Sequence, residues 1–101
     1  MNPKVRIPRK EIQEFCRRNH ISRLSLFGSV LTPNFGPESD IDILVEFEPG
    51  QSPGFLRMAS LENELSALLG GQKVDLRTPQ ELSRYFRDEV MASAEVQYAA
   101  G

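Results

Sequence analysis

The chain has almost nothing with which to staple itself or hold a soft metal: one cysteine, one histidine and no tryptophan in 101 residues. Cys16 alone cannot close an internal disulfide. With His20 it makes two soft ligands where a closed structural zinc site needs about four, so a secreted disulfide scaffold and a zinc-stapled fold are both excluded. No apolar run approaches the ~18 residues of a membrane span. The start, Met1-Asn2-Pro3-Lys4-Val5-Arg6, leads into charged sequence rather than an apolar signal core. No membrane partner is expected, and the expected setting is reducing cytoplasm. Length is scarce as well: a chain this short buries at best roughly two-thirds of its unfolded surface, so a single domain over residues 1–101 is expected.

What is present is unevenly distributed. Residues 1–25 carry a net charge of +5 and residues 26–101 a net charge of −7, although the whole chain sums to −2. Arg6, Arg9, Lys10, Arg17 and Arg18 read as the solvated face of a helix, and no direct nucleic-acid contact is expected of them.

Along the chain, Ile12, Phe15 and Cys16 recur at helical spacing behind Pro8, which suits a first helical turn, so a helix is expected over about residues 8–20 with His20 closing it. Arg23-Leu24-Ser25-Leu26-Phe27 alternates and stops at Gly28-Ser29, a strand ended by a small-residue turn. Residues 32–39 are rich in turn formers and read as a loop. The next strand, residues 40–48, puts Ile41, Ile43, Val45 and Phe47 on one face and Asp40, Asp42, Leu44, Glu46 and Glu48 on the other. A helix over residues 55–69 follows from Leu61, Leu65, Leu68 and Leu69, stopped by Gly70-Gly71. That Gly-Gly-Gln-Lys stretch lacks phosphate-loop spacing. Lys73-Val74-Asp75-Leu76-Arg77 reads as a third strand, and Thr78-Pro79-Gln80-Glu81 opens a helical C-terminal segment over about residues 79–98, with a break near Tyr85. Within that segment Tyr85 and Tyr98 read as ordinary amphipathic positions, and the small and apolar residues near the end suit either packing on a partner or fraying. The alternation predicts a mixed α/β (α+β) unit with a core over about residues 21–78. Spacing leaves the strand order open.

Asp is depleted in strands and adjacent like charges repel, so a strand that begins with two carboxylates on one face asks for a cation between them. Side chains at i and i+2, roughly 7 Å apart along the strand, can grip one Mg²⁺ or bridge two. Asp75 adds a third carboxylate at the same facing parity. Gly28 and Ser29, directly after a strand, offer backbone N–H groups and a hydroxyl to a phosphate. Carboxylate-held metal with a phosphate seat is equipment for in-line displacement at phosphorus. Gly-Ser, ten residues, then Asp-x-Asp begins at a given position by chance on the order of once in 10⁵.

Leu26-Phe27-Gly28-Ser29, ten residues, then Asp40-Ile41-Asp42-Ile43-Leu44-Val45 resembles the signature of the minimal nucleotidyltransferase proteins of the DNA polymerase β-like superfamily. Val74-Asp75-Leu76 sits where that family has its third acidic strand. The resemblance implies a polymerase β-like fold, a small mixed sheet with helices packed on one face. It implies Asp40, Asp42 and Asp75 as metal ligands and catalytic residues, Gly28 and Ser29 as the triphosphate seat, two Mg²⁺ ions and ATP as substrate. It further implies an antitoxin that transfers AMP to a tyrosine of a HEPN-domain ribonuclease toxin. Many relatives carry basic residues after the Gly-Ser pair; here Val30-Leu31-Thr32 follow, and Arg77 is the candidate substitute cation. The rival reading is a binding module that silences a toxin by occupying it. A small-molecule nucleotidyltransferase ranks third, because it needs an acceptor pocket from an added domain. A chain this short has little room for acceptor recognition, so a partner or a homo-oligomer is expected.

Overall fold

The fold was taken from a computed structural model, which describes residues 6–100; residues 1–5, read above for a signal segment, and Gly101 lie outside them. The first helical stripe forms α1, Arg9–Arg18, whose Ile12, Phe15 and Cys16 are fully buried. Arg17 and Arg18 occupy its last turn, where the helix dipole favours cations. Asn19 ends it, its backbone N–H and its side-chain amide both donating to the Phe15 carbonyl, and His20 turns the chain out with φ at +58°. Burial drives the Cys16 thiol pKa up to about 12.

Four strands make one sheet: β1 (Ile21–Phe27), β2 (Ile41–Phe47), β3 (Val74–Arg77) and β4 (Glu95–Ala99), in the order β3-β2-β1-β4. β1 runs antiparallel to both β2 and β4, whereas β2 and β3 are parallel. A parallel pair needs a crossover, and α2 (Phe55–Leu68) supplies it. Ile41, Ile43 and Val45, each fully buried, pack with Ile12 and Phe15 of α1 and Leu61 and Leu65 of α2. This is the small mixed sheet that the resemblance implies, with α1 and α2 against one face. Leu44, pointing the other way by strand alternation, and Leu82 are also buried but lie outside that cluster.

The C-terminal segment departs from expectation. The break falls just before Tyr85, between a 3₁₀ turn Pro79–Glu81 and the helix α3 (Arg84–Ser93), but the last piece is the strand β4 rather than helix to residue 98. The Glu81 carboxylate accepts from the Thr78 backbone N–H at 3.0 Å, as the Thr-Pro-Gln-Glu pattern suggests. Leu82 and Ser83 are then extended, and Ser83 caps a new helix by accepting from the Tyr85 N–H. β4 forms because β1 has a free edge to pair with, Leu24 facing Tyr98 and Leu26 facing Glu95, and that tertiary pairing overrides a weak local preference. Among the described residues no helix is long and apolar enough to cross a membrane.

Candidate active site

Strand pairing aligns the chemistry. Phe27, the last residue of β1, faces Asp42 on β2, and Asp42 faces Asp75 on β3. The end of β1, Asp42 and Asp75 therefore form one row across the sheet, with neighbours about 4.8 Å apart. Gly28 continues the row with φ at +75°, a conformation that disfavours any side chain. A Cβ there would stand 2.3 Å from Asp42 Oδ2, so the residue must be glycine both for its backbone and for its neighbour. Ser29 donates its backbone N–H to the Asp42 carboxylate.

The turn after Gly28 is a 3₁₀ helix, Gly28–Leu31. Thr32 closes it, its N–H and its hydroxyl both donating to the Ser29 carbonyl at 2.9 and 2.8 Å. Val30 is 1% exposed and belongs to the core cluster. The apolar residue standing where relatives carry a cation is thus the anchor that pins the turn to the sheet.

Burial, followed by the charges of Asp75 and Asp40, raises the Asp42 pKa; Arg77 and the Ser29 N–H partly offset this. Arg77 grips Asp75 with two bonds, Nε to Oδ1 at 3.1 Å and Nη2 to Oδ2 at 3.3 Å. Those bonds and the Asp75 charge raise the Arg77 pKa. Asp40 lies one residue before β2, exposed, with Lys73 Nζ 4.0 Å from its Oδ2. The three carboxylates therefore have three different partners: a backbone N–H, a guanidinium and an ammonium. Among the described residues no group of three His, Cys, Asp or Glu is close enough to hold a metal in common. The donor set itself suits a hard divalent ion, being all oxygen. Asp42, desolvated between two like charges, is the group such an ion would relieve most, and by that test the residues fit Mg²⁺.

Beside Asp75, at the sheet edge, lies a cavity of about 620 Å³ lined by Phe55, Met58, Ala59, Glu62, Asp75 and Arg77, among others. Glu62 closes part of it by accepting the outward Leu76 N–H at 2.8 Å. Sequence reading assigned none of its α2 residues a role. A signal existed: Phe55 and Leu56 are apolar but fall off the Leu61/Leu65 stripe, and they are 87% and 82% exposed.

A mixed sheet carrying a Gly-Ser turn against an acidic row is the arrangement of a nucleotidyltransferase, and comparison with known proteins agrees. The family model described as polymerase beta, nucleotidyltransferase matches residues 10–100; the chain belongs to that family. It is 33% identical over 86 residues to MJ0435 of Methanocaldococcus jannaschii, a candidate protein adenylyltransferase, covering 85% of this chain and 89% of that one. It is 40% identical over 68 residues to the protein adenylyltransferase MntA of Thermococcus cleftensis, covering 67% of this chain and 63% of that one. A solved complex of a tri-AMPylated Shewanella oneidensis HEPN toxin with its MNT antitoxin shares the fold, with a TM-score of 0.64 at 22% identity, covering 91% of this chain and 70% of that one.

Proposed function

We propose that the chain is a Mg²⁺-dependent nucleotidyltransferase that moves AMP from ATP to a hydroxyl, a tyrosine, of a partner HEPN ribonuclease toxin, and so acts as the antitoxin of the pair. The observation that carries the reading is the register: Asp42 faces Asp75 on one side and abuts Gly28 on the other. In this reading the Gly28-Ser29 turn seats the triphosphate through backbone N–H groups and the serine hydroxyl. Asp75 accepts the proton of the attacking hydroxyl, and Arg77 positions that carboxylate, with the nucleotide as its second contact. Asp40, Asp42 and Asp75 are the residues that would hold Mg²⁺, two ions in this reading, and when bound the metal would supply charge neutralisation at the phosphorus. The names of the relatives, protein adenylyltransferases and an AMPylated toxin complex, support both the adenylyl group and the protein acceptor.

The test is label transfer. The wild-type protein and its Asp75→Asn variant are incubated with Mg²⁺, the HEPN partner, and ATP labelled at either the α or the γ phosphate. Label from the α position alone, on the partner, and at least about 10²-fold slower in the variant, is the expected result. A partner silenced equally well by both forms with no label would replace catalysis with occupancy.

A further inference from the structure

We propose that Gln72 is a positioning residue for the divalent ion: its side-chain amide clamps the loop ahead of β2 and so holds the Asp40 carboxylate on the face it shares with Asp42. The inference rests on the metal-dependent reading above and adds to it a residue outside the acidic row. Asp40 needs such a device. It stands one residue before β2, exposed, with its carboxylate 4.0 Å from the Lys73 ammonium. A side chain so placed is fixed only as well as the backbone that carries it. That backbone is bracketed by two consecutive residues. Gln72 Nε2 donates to the Ser39 carbonyl at 2.5 Å and to the Gly36 carbonyl at 2.9 Å, and the Lys73 carbonyl accepts the Ile41 N–H at 2.8 Å. The peptide groups on both sides of Asp40 are therefore tied to the segment that leads into β3, the strand that carries Asp75.

The loop is gripped as a unit. The Gly36 N–H donates to Ser39 Oγ at 3.1 Å and the Ser39 N–H to the Gly36 carbonyl at 3.0 Å, so residues 36–39 close into a turn whose two carbonyls both face the one amide. Gln72 is held in its turn. Its carbonyl accepts from the Ser66 hydroxyl at 2.7 Å, and the Gly71 N–H beside it donates to the Ser66 carbonyl at 2.8 Å, so the clamp runs from α2 through Gln72 to the residue before Asp40. This place calls for a neutral double donor. A side-chain amide has two hydrogens to give, whereas a carboxylate there has acceptors only and would face two carbonyl oxygens. Charge alone predicts the reverse, because an added carboxylate near Asp40 would draw a cation more strongly. An apolar chain of similar length would fill the space and make neither bond. Groups that orient a metal's ligands are typically worth about tenfold or more in its affinity.

The probe is Mn²⁺ alone, titrated into the protein with its free fraction read by electron paramagnetic resonance. The wild type is compared with Gln72→Met, Gln72→Glu, Asp40→Asn and the double variant Gln72→Met with Asp40→Asn; Gln72→Asn, whose amide falls one methylene short, replaces Gln72→Met if that variant does not fold. Both Gln72 variants should bind Mn²⁺ about tenfold more weakly than the wild type. In the Asp40→Asn background Gln72→Met should cost no further affinity, because the clamp acts through that carboxylate. In label transfer the Mg²⁺ requirement of Gln72→Met should rise about tenfold, with the rate returning toward the wild-type value at saturating Mg²⁺. Unchanged Mn²⁺ affinity in Gln72→Met, tighter binding in Gln72→Glu, or an equal loss when Asp40 is already neutralised would overturn the clamp. Label transfer with Mn²⁺ affinity indifferent to Gln72 removes only the clamp. The expected Mn²⁺ pattern in a protein that transfers no label keeps the clamp and removes the transfer reading, and a wild type that binds no Mn²⁺ removes both.

Discussion

The two faces of β2 answer opposite demands. One face, Ile41, Ile43 and Val45, is buried to completion between the sheet and the helices α1 and α2. The other places Asp42 against Gly28 and opposite Asp75, with Asp40 just ahead of it. The first face stabilises the domain. The second works against it, since burial and like charge both penalise the ionised Asp42. One seven-residue strand thus holds a fully buried apolar face and a carboxylate whose ionised form burial and like charge both disfavour. The packed face makes the crowded one tolerable, because a row of carboxylates needs a rigid support to stay in register.

That contrast can be broken at either face. The largest stability effect belongs to the packed side: Ile43→Ala removes a fully buried side chain and is expected to destabilise by about 2–5 kcal/mol in urea titration. A loss under about 1 kcal/mol would mean that the support is not where the burial puts it. Next comes the hinge between the faces, Gly28→Ala. The left-handed backbone alone should cost about 1–2 kcal/mol, and the new Cβ must displace the Asp42 carboxylate, so nucleotide KM should rise together with the loss of stability. An unchanged KM would separate the turn from the phosphate seat.

The smallest effect has the most telling sign. Because the Asp42 pKa is raised in the folded state, the fold binds that proton more tightly than the unfolded chain does. Stability contributed by the protonated form is present below the ordinary carboxylate value and is lost as pH rises through the elevated one. Asp42→Asn should therefore melt higher than the wild type at pH 7, by less than Gly28→Ala melts lower, with the gap closing as pH falls through the elevated Asp42 value and gone below about 4. A variant that melts lower at neutral pH would make Asp42 a structural residue.

The legibility of the chain follows how local each cause is. The two faces of β2 are written in seven consecutive residues, and the Gly28-Ser29 turn in two, so both can be read directly. That Asp42 faces Asp75 needs the strand order, which spacing leaves open and the parallel β2–β3 pairing supplies. β4 could not be read, because what makes Glu95–Ala99 a strand is the unpaired edge of β1 some seventy residues earlier. The cavity was equally hidden, being assembled from the start of α2 and the end of β3. Val30 is half legible for a different reason. Its place in the motif draws attention to a missing cation, while its burial gives it a packing role that only the third dimension reveals.

The lone cysteine has a use beyond packing. With its thiol sealed in the interface between α1 and the sheet and held at a pKa of about 12, Cys16 is almost entirely protonated at neutral pH and out of reach of solvent, so alkylating reagents meet it only when the first helix lifts away. The rate of its modification by iodoacetamide is then a built-in clock for opening of the core. The protein carries that reporter naturally, without an added dye and without risk to the acidic row on the opposite face of the sheet.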